Sequence, residues 1–539
     1  MVVLGVTVAM SAPLTMVSAP EAHGASVPSG GSYVPMNPVR IVDTRINQGV
    51  AGPVRGQQSV TMAVPAGVAP PGAATVALNV TAVDGTGDGS LSVYADGSPR
   101  PATSNLNFRG APGSCWSEDC VVPNLVITSI SSTGRFDVFS GQAATDSVNV
   151  IVDVEGYFNS ASATDGAQGH YYPLASSRLS DSRCGESPSA PGPACSSENI
   201  PAANAHLTTM SAGSTQNVTV AGQGPVPASG AEAAVVQLTA TNTSADGYLA
   251  VNPTGGAPTN GSNVNFAAGQ TTSTVAIVKL GSGGAITLHN CCGSTDVVVD
   301  VVGYFSDATA ALQGGSLYNA TTATRLSDSR PANGGLGPIP TNASRAVPVT
   351  GNAAVPPGST SAVISLTEAT ATASSYMTVT PNALNPPAST SNVAFGSGDI
   401  RANADLATLS GSEGTLSVYN LAGSTDFIVD VFGYFIPAAN VPAQGGGGPS
   451  PYAGFVGVNS LLIYDSEQYA QASLTTLASG GIAWDRENFS WGNLEPRPGV
   501  WDWTEGDALM TAAAKTGNTI RILGLLGHVA PWASADPHP

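Results

Sequence analysis

Arg40-Ile41-Val42-Asp43-Thr44-Arg45 returns as Arg178-Leu179-Ser180-Asp181-Ser182-Arg183 and again as Arg325-Leu326-Ser327-Asp328-Ser329-Arg330. Each copy opens a segment that closes on a second shared run. The closing runs are Asp153-Val154-Glu155-Gly156-Tyr157-Phe158, Asp300-Val301-Val302-Gly303-Tyr304-Phe305 and Asp430-Val431-Phe432-Gly433-Tyr434-Phe435. Between them lies a third landmark: Ser104-Asn105-Leu106-Asn107-Phe108, Ser262-Asn263-Val264-Asn265-Phe266 and Ser391-Asn392-Val393-Ala394-Phe395. Three landmarks in one order, three times over, define repeats at residues 33–158, 171–305 and 318–435, each of the size of one domain.

Inside a repeat the hydrophobic period is two. Val76, Leu78 and Val80 alternate with Ala77, Asn79 and Thr81, the pattern of a strand with one apolar face and one wetter face. Such runs recur between Gly, Pro, Asn and Ser, which favours a sandwich or barrel. The 63 glycines and 40 prolines suit many short strands joined by turns better than they suit helices. The expected fold class is mainly β: three tandem β-sandwich-like repeat domains plus a truncated α/β segment. The polar, small-residue stretches 159–170 and 306–316 are expected to be linkers, so the repeats read as domains on a string.

A formal net charge of −19, with Lys279 and Lys515 the only lysines, excludes nucleic acid and an anionic membrane surface as partners. The apolar N-terminus resembles an export signal over residues 1–25, though no Lys or Arg precedes Arg40 and a basic start is expected upstream. No later stretch has the run of apolar residues that a membrane span needs. The expected location is therefore secreted or extracellular, free or associated with the cell surface. The cysteines fall in close pairs, Cys115 with Cys120, Cys184 with Cys195, and adjacent Cys291 and Cys292. In an oxidising compartment these read as structural bridges; the adjacent pair either bonds to itself or staples to Cys184 and Cys195. None has zinc-site spacing, and no metal or cofactor is expected.

Six of the chain's 15 arginines lie in the opening runs: Arg40, Arg45, Arg178, Arg183, Arg325 and Arg330, around Asp43, Asp181 and Asp328. One reading makes each run a pocket for a sugar, a carboxylate or a cell-wall anion. The preferred reading is a lock, in which Arg and Asp pair with one another or with residues of the Asp300 type and pin the first strand to the last. A calcium site at Asp296/Asp300 and Asp426/Asp430 is disfavoured, because Asn149 stands at the first position in repeat 1 and no ligand loop surrounds it. The landmarks resemble a repeated β domain of exported actinobacterial proteins, often in tandem beside a hydrolase. That resemblance, over residues 33–435, implies attachment, spacing or glycan contact; because no Ser/His/Asp set or His cluster repeats with the copies, the repeats are not expected to be catalytic.

After a Gly/Pro linker at 436–451 the composition changes, and five of the six tryptophans follow. Residues 452–539 alternate apolar runs (455–463, 482–489, 520–526) with helical stretches capped near Asp465 or Ser466 and at Thr504, the start of a parallel α/β fold. The run Trp484-Asp485-Arg486, then Phe489-Ser490-Trp491 through Glu495-Pro496 to Gly499-Val500-Trp501-Asp502-Trp503, resembles the second-strand region of clan-A (β/α)8 glycoside hydrolases. The stretch 523–534 is similar to their third strand and loop. By that resemblance Arg486 orients the nucleophile carboxylate, and His528 and Trp532 approach the sugar. Glu495 lies in a turn that is structural in the family, and Trp491 and Trp501 read as core. The catalytic carboxylates come from the family's fourth and seventh strands, beyond Pro539, so no catalytic residue is assigned to this chain. The expectation is a fragment of a secreted glycoside hydrolase, inactive by itself, with a polysaccharide or cell-wall glycan as partner. The alternative is a non-enzymatic cell-surface, adhesion or glycan-binding repeat protein.

Overall fold

The structure, a computed structural model, describes residues 31–438 apart from 72, 111–120, 161–166, 185–199, 257–260, 311–314, 353–354, 382–389 and 412; beyond these it describes 457–459, 462, 470–471, 473–474, 484–515, 521–527 and 533. The chain divides into two compact units, Met1–Ala439 and Asn440–Pro539. The signal-like N-terminus and most of the 436–451 linker lie outside the described residues.

Repeat 1 consists of β1 (Gly31–Asp43), β2 (Val54–Arg55), β3 (Ser59–Ala63), β4 (Ala73–Val83), β5 (Gly89–Ala95), β6 (Leu106–Phe108), β7 (Val121–Ser129), β8 (Arg135–Ser140) and β9 (Ser147–Ser160). Its inner sheet runs β1-β9-β4-β7 and its outer sheet β3-β8-β5-β6. Val76, Leu78, Val80, Val152 and Val154 of the inner sheet pack against Leu91, Val93, Phe136 and Val138 of the outer one. Each repeat is thus a sandwich with its own core, as the period-two pattern requires.

Repeat 2 has the same plan with β10 (Tyr171–Asp181), β11 (Thr215–Thr219), β12 (Ala231–Thr241), β13 (Gly247–Pro253), β14 (Val264–Phe266), β15 (Thr272–Lys279), β16 (Ala285–Asn290) and β17 (Asp296–Ser306). Repeat 3 follows with β18 (Ser316–Asp328), β19 (Ala343–Pro348), β20 (Ser361–Ala369), β21 (Ser375–Thr380), β22 (Val393–Phe395), β23 (Ile400–Thr408), β24 (Thr415–Asn420) and β25 (Asp426–Pro437). Each has its own four-stranded outer sheet, while the three inner sheets meet through β1, β10 and β18.

The repeats are not domains on a string. Their inner sheets face one another around a common pseudo-threefold axis, and a fourth apolar cluster draws on all three repeats. At its centre Tyr33, Phe158, Tyr171, Phe305, Tyr318 and Phe435 are all at most 2% exposed. Each tyrosine touches its own repeat's phenylalanine and that of another repeat. Ring centroids are 4.4 Å apart for Tyr33–Phe305, 4.4 Å for Tyr171–Phe435 and 4.6 Å for Phe158–Tyr318, which closes the ring. The wetter strand face is therefore buried as well: Asn79 and Thr81 are 5% and 3% exposed because they look across the axis at a neighbouring repeat. The linker stretches are woven in too. Tyr33 N donates to Gly169 O at 2.9 Å, Gly169 N donates to Ser306 O at 2.7 Å, and His170 and Ser306 are buried.

The closing run explains how the rings reach the axis. In every repeat the register slips at one residue, Glu155, Val302 or Phe432, so that Gly156, Gly303 and Gly433 resume pairing with the strand face inverted. A bulge of one residue moves everything after it to the opposite face. Phe158, Phe305 and Phe435 thereby point inward. The glycine is needed because the tyrosine of the opening strand lies on it: a Cβ at Gly156, Gly303 or Gly433 would meet the Tyr33, Tyr171 or Tyr318 hydroxyl oxygen at 2.3, 2.4 and 2.3 Å.

The middle landmark makes the seams. Asn105, Asn263 and Asn392 accept from the backbone N–H of Val93, Val251 and Val379 at 2.7, 2.9 and 2.8 Å, fixing the short strand that follows. These short strands then cross to neighbouring repeats: β6 packs on β23, β22 on β15, and β14 on β7. This is a head-to-tail contact that closes after three steps.

In the second unit β26 (Gly457–Asn459), β27 (Trp484–Ser490) and β28 (Arg521–Gly527) form a parallel sheet in that order. A helix at Thr504–Lys515 connects β27 to β28 and buries Leu509, Ala512 and Ala513 against Leu462, Ala470 and Leu474. Strand, helix and strand fall where the sequence places them. Just ahead of the helix the Asp502 carboxylate accepts from Thr504 N at 3.1 Å and from its hydroxyl at 2.6 Å, and the first helical bond runs from Asp507 N to Trp503 O. Trp501 is not core among the described residues; it is 52% exposed and stacks on Trp503 at 5.6 Å.

Replacing Phe305 with Ala removes a ring shared between repeats and is expected to destabilise the first unit by about 3–5 kcal/mol. Gly303→Ala should cost about 1–3 kcal/mol through overpacking against Tyr171. Urea unfolding followed by tyrosine fluorescence checks both, and wild-type midpoints for either variant would contradict the axis packing.

Candidate functional site

The opening runs come first, since they hold most of the chain's scarce charge. Arg40 stands directly across from Asp153 in the β1–β9 register, and the same holds for Arg178 with Asp300 and Arg325 with Asp430. Arg40 donates from Nε and Nη2 to the two Asp153 oxygens at 2.9 and 3.0 Å, and Arg325 does likewise to Asp430 at 2.9 and 3.1 Å. Arg178 Nε donates to Asp300 at 2.6 Å and its Nη1 to Asp181 at 2.9 Å. A planar guanidinium across from a carboxylate on paired strands is the geometry a bidentate bond needs.

The remaining charges of the run fold back on themselves. Asp43 accepts from the Arg45 backbone N–H at 3.2 Å and from its guanidinium at 2.9 and 2.7 Å. Asp328 does the same with Arg330, and Asp181 with Arg183. The hydroxyl of the run reaches the last strand: Thr44 bonds Asn149 at 2.8 Å, Ser182 bonds Asp296 at 3.0 Å and Ser329 bonds Asp426 at 2.7 Å. The position that suggested calcium thus accepts hydroxyl hydrogen bonds, in repeat 1 through Asn149. Every carboxylate of the run is engaged by arginine, and the run ties the first strand to the last.

Electrostatics agree. Hydrogen bonds from Arg330 hold Asp328 down at about 2, and those from Arg45 hold Asp43 below its usual range. Burial pushes Asp430 up while the Arg325 guanidinium opposes it. Of the three pairs that join first strand to last, Arg178 and Asp300 are the most enclosed, with side chains 8% and 2% exposed.

Sequence reasoning missed a second set of groups, at the seams. Glu155 is fully enclosed, and burial lifts its carboxyl to about 8. It accepts from Asn263 of repeat 2 at 3.3 Å through Oε1, while Oε2 has no partner among the described residues. Asp405 is also raised by burial, to about 7, as is Glu368, to about 8, inside the repeat 3 sandwich where it accepts from Ala371 N and the Thr425 hydroxyl. Neutral amides knit the seams: Asn79 donates to Ser262 O at 2.7 Å, Asn124 donates to Ala402 O at 3.1 Å and accepts from Ala404 N, and Asn403 bonds Ser273 O. The available signal was the polar residue alternating with valine in β4, which reads as solvent-facing when one repeat is considered alone.

Cys291 and Cys292 bond to each other, in the turn after β16, where Tyr248 N donates to Cys291 Sγ at 3.1 Å. The stapling alternative is therefore not adopted. Cys184 is in a disulfide; Cys115, Cys120 and Cys195 lie outside the described residues.

In the second unit Arg486 is exposed and sits mid-strand beside Asn459 and Leu523, whereas its neighbours Asp485 and Glu487 are buried on the helix side. Glu487 accepts from Leu462 N at 2.9 Å, anchoring the segment after β26. Glu495 accepts from Trp491 Nε1 at 2.8 Å and from Gly499 N at 2.7 Å, so its carboxylate shapes the turn. His528 and Trp532 lie outside the described residues.

No family model matches the chain, and no curated protein matches it. Among solved structures, a chain from "The Triple Jelly Roll Fold and Turret Assembly in an Archaeal Virus" is similar over 76% of this chain and 90% of that one, at 9% identity and a TM-score of 0.14. A likeness of that grade carries no argument.

Asp300→Ala strands the Arg178 charge and should cost about 3–5 kcal/mol, whereas a paired Arg178→Met, Asp300→Leu change should recover most of it. Thermal unfolding of the single and double variants decides. Equal losses in both would mean that the pair is not a lock.

The raised acids also set a pH dependence. Unfolded carboxyls release their protons near pH 4, but folded Glu155, Glu368 and Asp405 keep theirs to about 8, 8 and 7. From about pH 4 to 8 the folded state thus binds more protons than the unfolded one, and stability falls as pH rises. Below pH 4 the stability from Asp328 is lost as pH drops toward 2. The melting temperature should peak near pH 4–5 and decline to pH 8.5, with a shallower decline in Glu155→Gln. A rise toward pH 8.5 would contradict this.

Proposed function

We propose that this chain is the front of an exported glycoside hydrolase: a rigid, non-catalytic β head over the first unit, followed by the opening strands of a (β/α)8 catalytic domain. The observation that supports it is the parallel order β26-β27-β28, with a helix crossing from β27 to β28 and Arg486 on the sheet face opposite that helix. In a barrel that strand side faces the interior, whose C-terminal end carries the active site. Asp485, Glu487 and Glu495 are buried within the fold, so this reading assigns no acid/base or nucleophile to the chain. Those two carboxylates, about 5–5.5 Å apart in a retaining enzyme, belong to later strands. Arg486 is then a positioning residue for one of them, and the substrate is a polysaccharide outside the cell.

A second reading is a non-enzymatic surface protein whose repeats bind glycan. It draws on the three like sandwiches arranged around one axis, a geometry suited to multivalent contact.

The gene's reading frame past Pro539 tests the choice. The continued protein is expected to release reducing ends from a polysaccharide, with Arg486→Ala lowering the rate by about 100-fold. A frame without further strands, or a continued protein without hydrolysis, removes the enzyme. Retention of residues 31–439 on insoluble cell wall would then support the second reading, and free elution would remove it.

A further inference from the structure

At the seam between repeats 2 and 3 lies a partly open cavity of about 40 Å³. Ser176, Gln237 and Val302 line it from repeat 2, and Asn392, Asp405 and Leu406 from repeat 3. A water needs roughly 10–15 Å³ of such space, so there is room for a small ion with a water or two. The lining presents oxygen. Gln237 is 1% exposed, its Nε2 lies 3.5 Å from Asn392 O, and its Oε1 has no partner among the described residues. The Ser176 hydroxyl is buried without a partner among them as well.

The third oxygen donor is charged. By strand register Asp405 stands where repeats 1 and 2 carry Val126 and Ala276. It accepts from the Asn392 amide at 2.8 Å, a neutral partner, and is 4% exposed. No cationic side chain among the described residues offsets it. An ionised carboxylate in such a place needs a compensating charge. We propose that this cavity is a binding site for a monovalent alkali cation, held by Asp405, Gln237 Oε1 and the Ser176 hydroxyl, with water completing its shell. Hard oxygen donors suit such an ion, and a single carboxylate matches a single positive charge, where divalent sites gather several.

The cation stabilises the folded head by binding it and not the unfolded chain.

The test is the melting temperature of the full chain at pH 8.5 in 150 mM sodium chloride against 150 mM tetramethylammonium chloride, whose cation is too bulky for the cavity. Wild type is expected to melt about 2 °C or more higher in sodium, rising with its logarithm. Asp405→Asn and Gln237→Met should each abolish the difference. Equal wild-type melting in both salts means that the cavity holds water only, and a sodium effect surviving in both variants places the ion elsewhere; either overturns the proposal. Should Asp405→Asn fail to fold, ²³Na line broadening by wild type and its loss in Gln237→Met read the same site.

Discussion

Six aromatic rings on one axis carry the architecture of the first unit. Each repeat contributes a tyrosine from its opening strand and a phenylalanine from its closing one, and every tyrosine contacts a phenylalanine of a different repeat. Aromatic pairs of this kind are worth about 0.5–1.5 kcal/mol each beyond the area they bury. Their larger effect is geometric. The rings reach the axis only if each closing strand bulges before its glycine and each glycine stays bare beneath a tyrosine. The Arg–Asp pairs that hold first strand to last keep the two halves of each aromatic contribution in register.

Burying both faces of the inner sheets has an electrostatic consequence. The faces that meet between repeats keep amides, hydroxyls and the Glu155 carboxyl, because neighbouring repeats supply the hydrogen bonds that water would supply to a lone sandwich. The pseudo-symmetry is broken at these positions: Glu155, Val302 and Phe432 are equivalent, as are Val126, Ala276 and Asp405. Each seam therefore has its own chemistry while the frame is shared.

Much of this was legible in the sequence. The three landmarks located the repeats, the alternation of Val76, Leu78 and Val80 with polar residues gave the sandwich strands, and the arginines of the opening run bond carboxylates of the last strand. The strand–helix–strand order of the second unit also followed from its apolar runs and turn residues. The association of the repeats was not legible. Asn79 and Thr81 look like solvent-facing residues to any local reading, and only long-range packing converts that face into an interface. The same limit turned 159–170 and 306–316 into linkers. Trp501 read as core from its type, yet among the described residues it stacks on Trp503 at the surface. The bulge left a trace in the Gly-Tyr-Phe signature, but its meaning requires knowing what lies beneath the glycine.

The central claim is that the three repeats are one cooperative body, and scanning calorimetry of the first unit tests it most directly. If the axis binds them together, one transition appears and the van't Hoff enthalpy equals the calorimetric one. Three independent sandwiches would give a van't Hoff enthalpy of about one third of the calorimetric value, or resolved separate transitions, and would contradict the account.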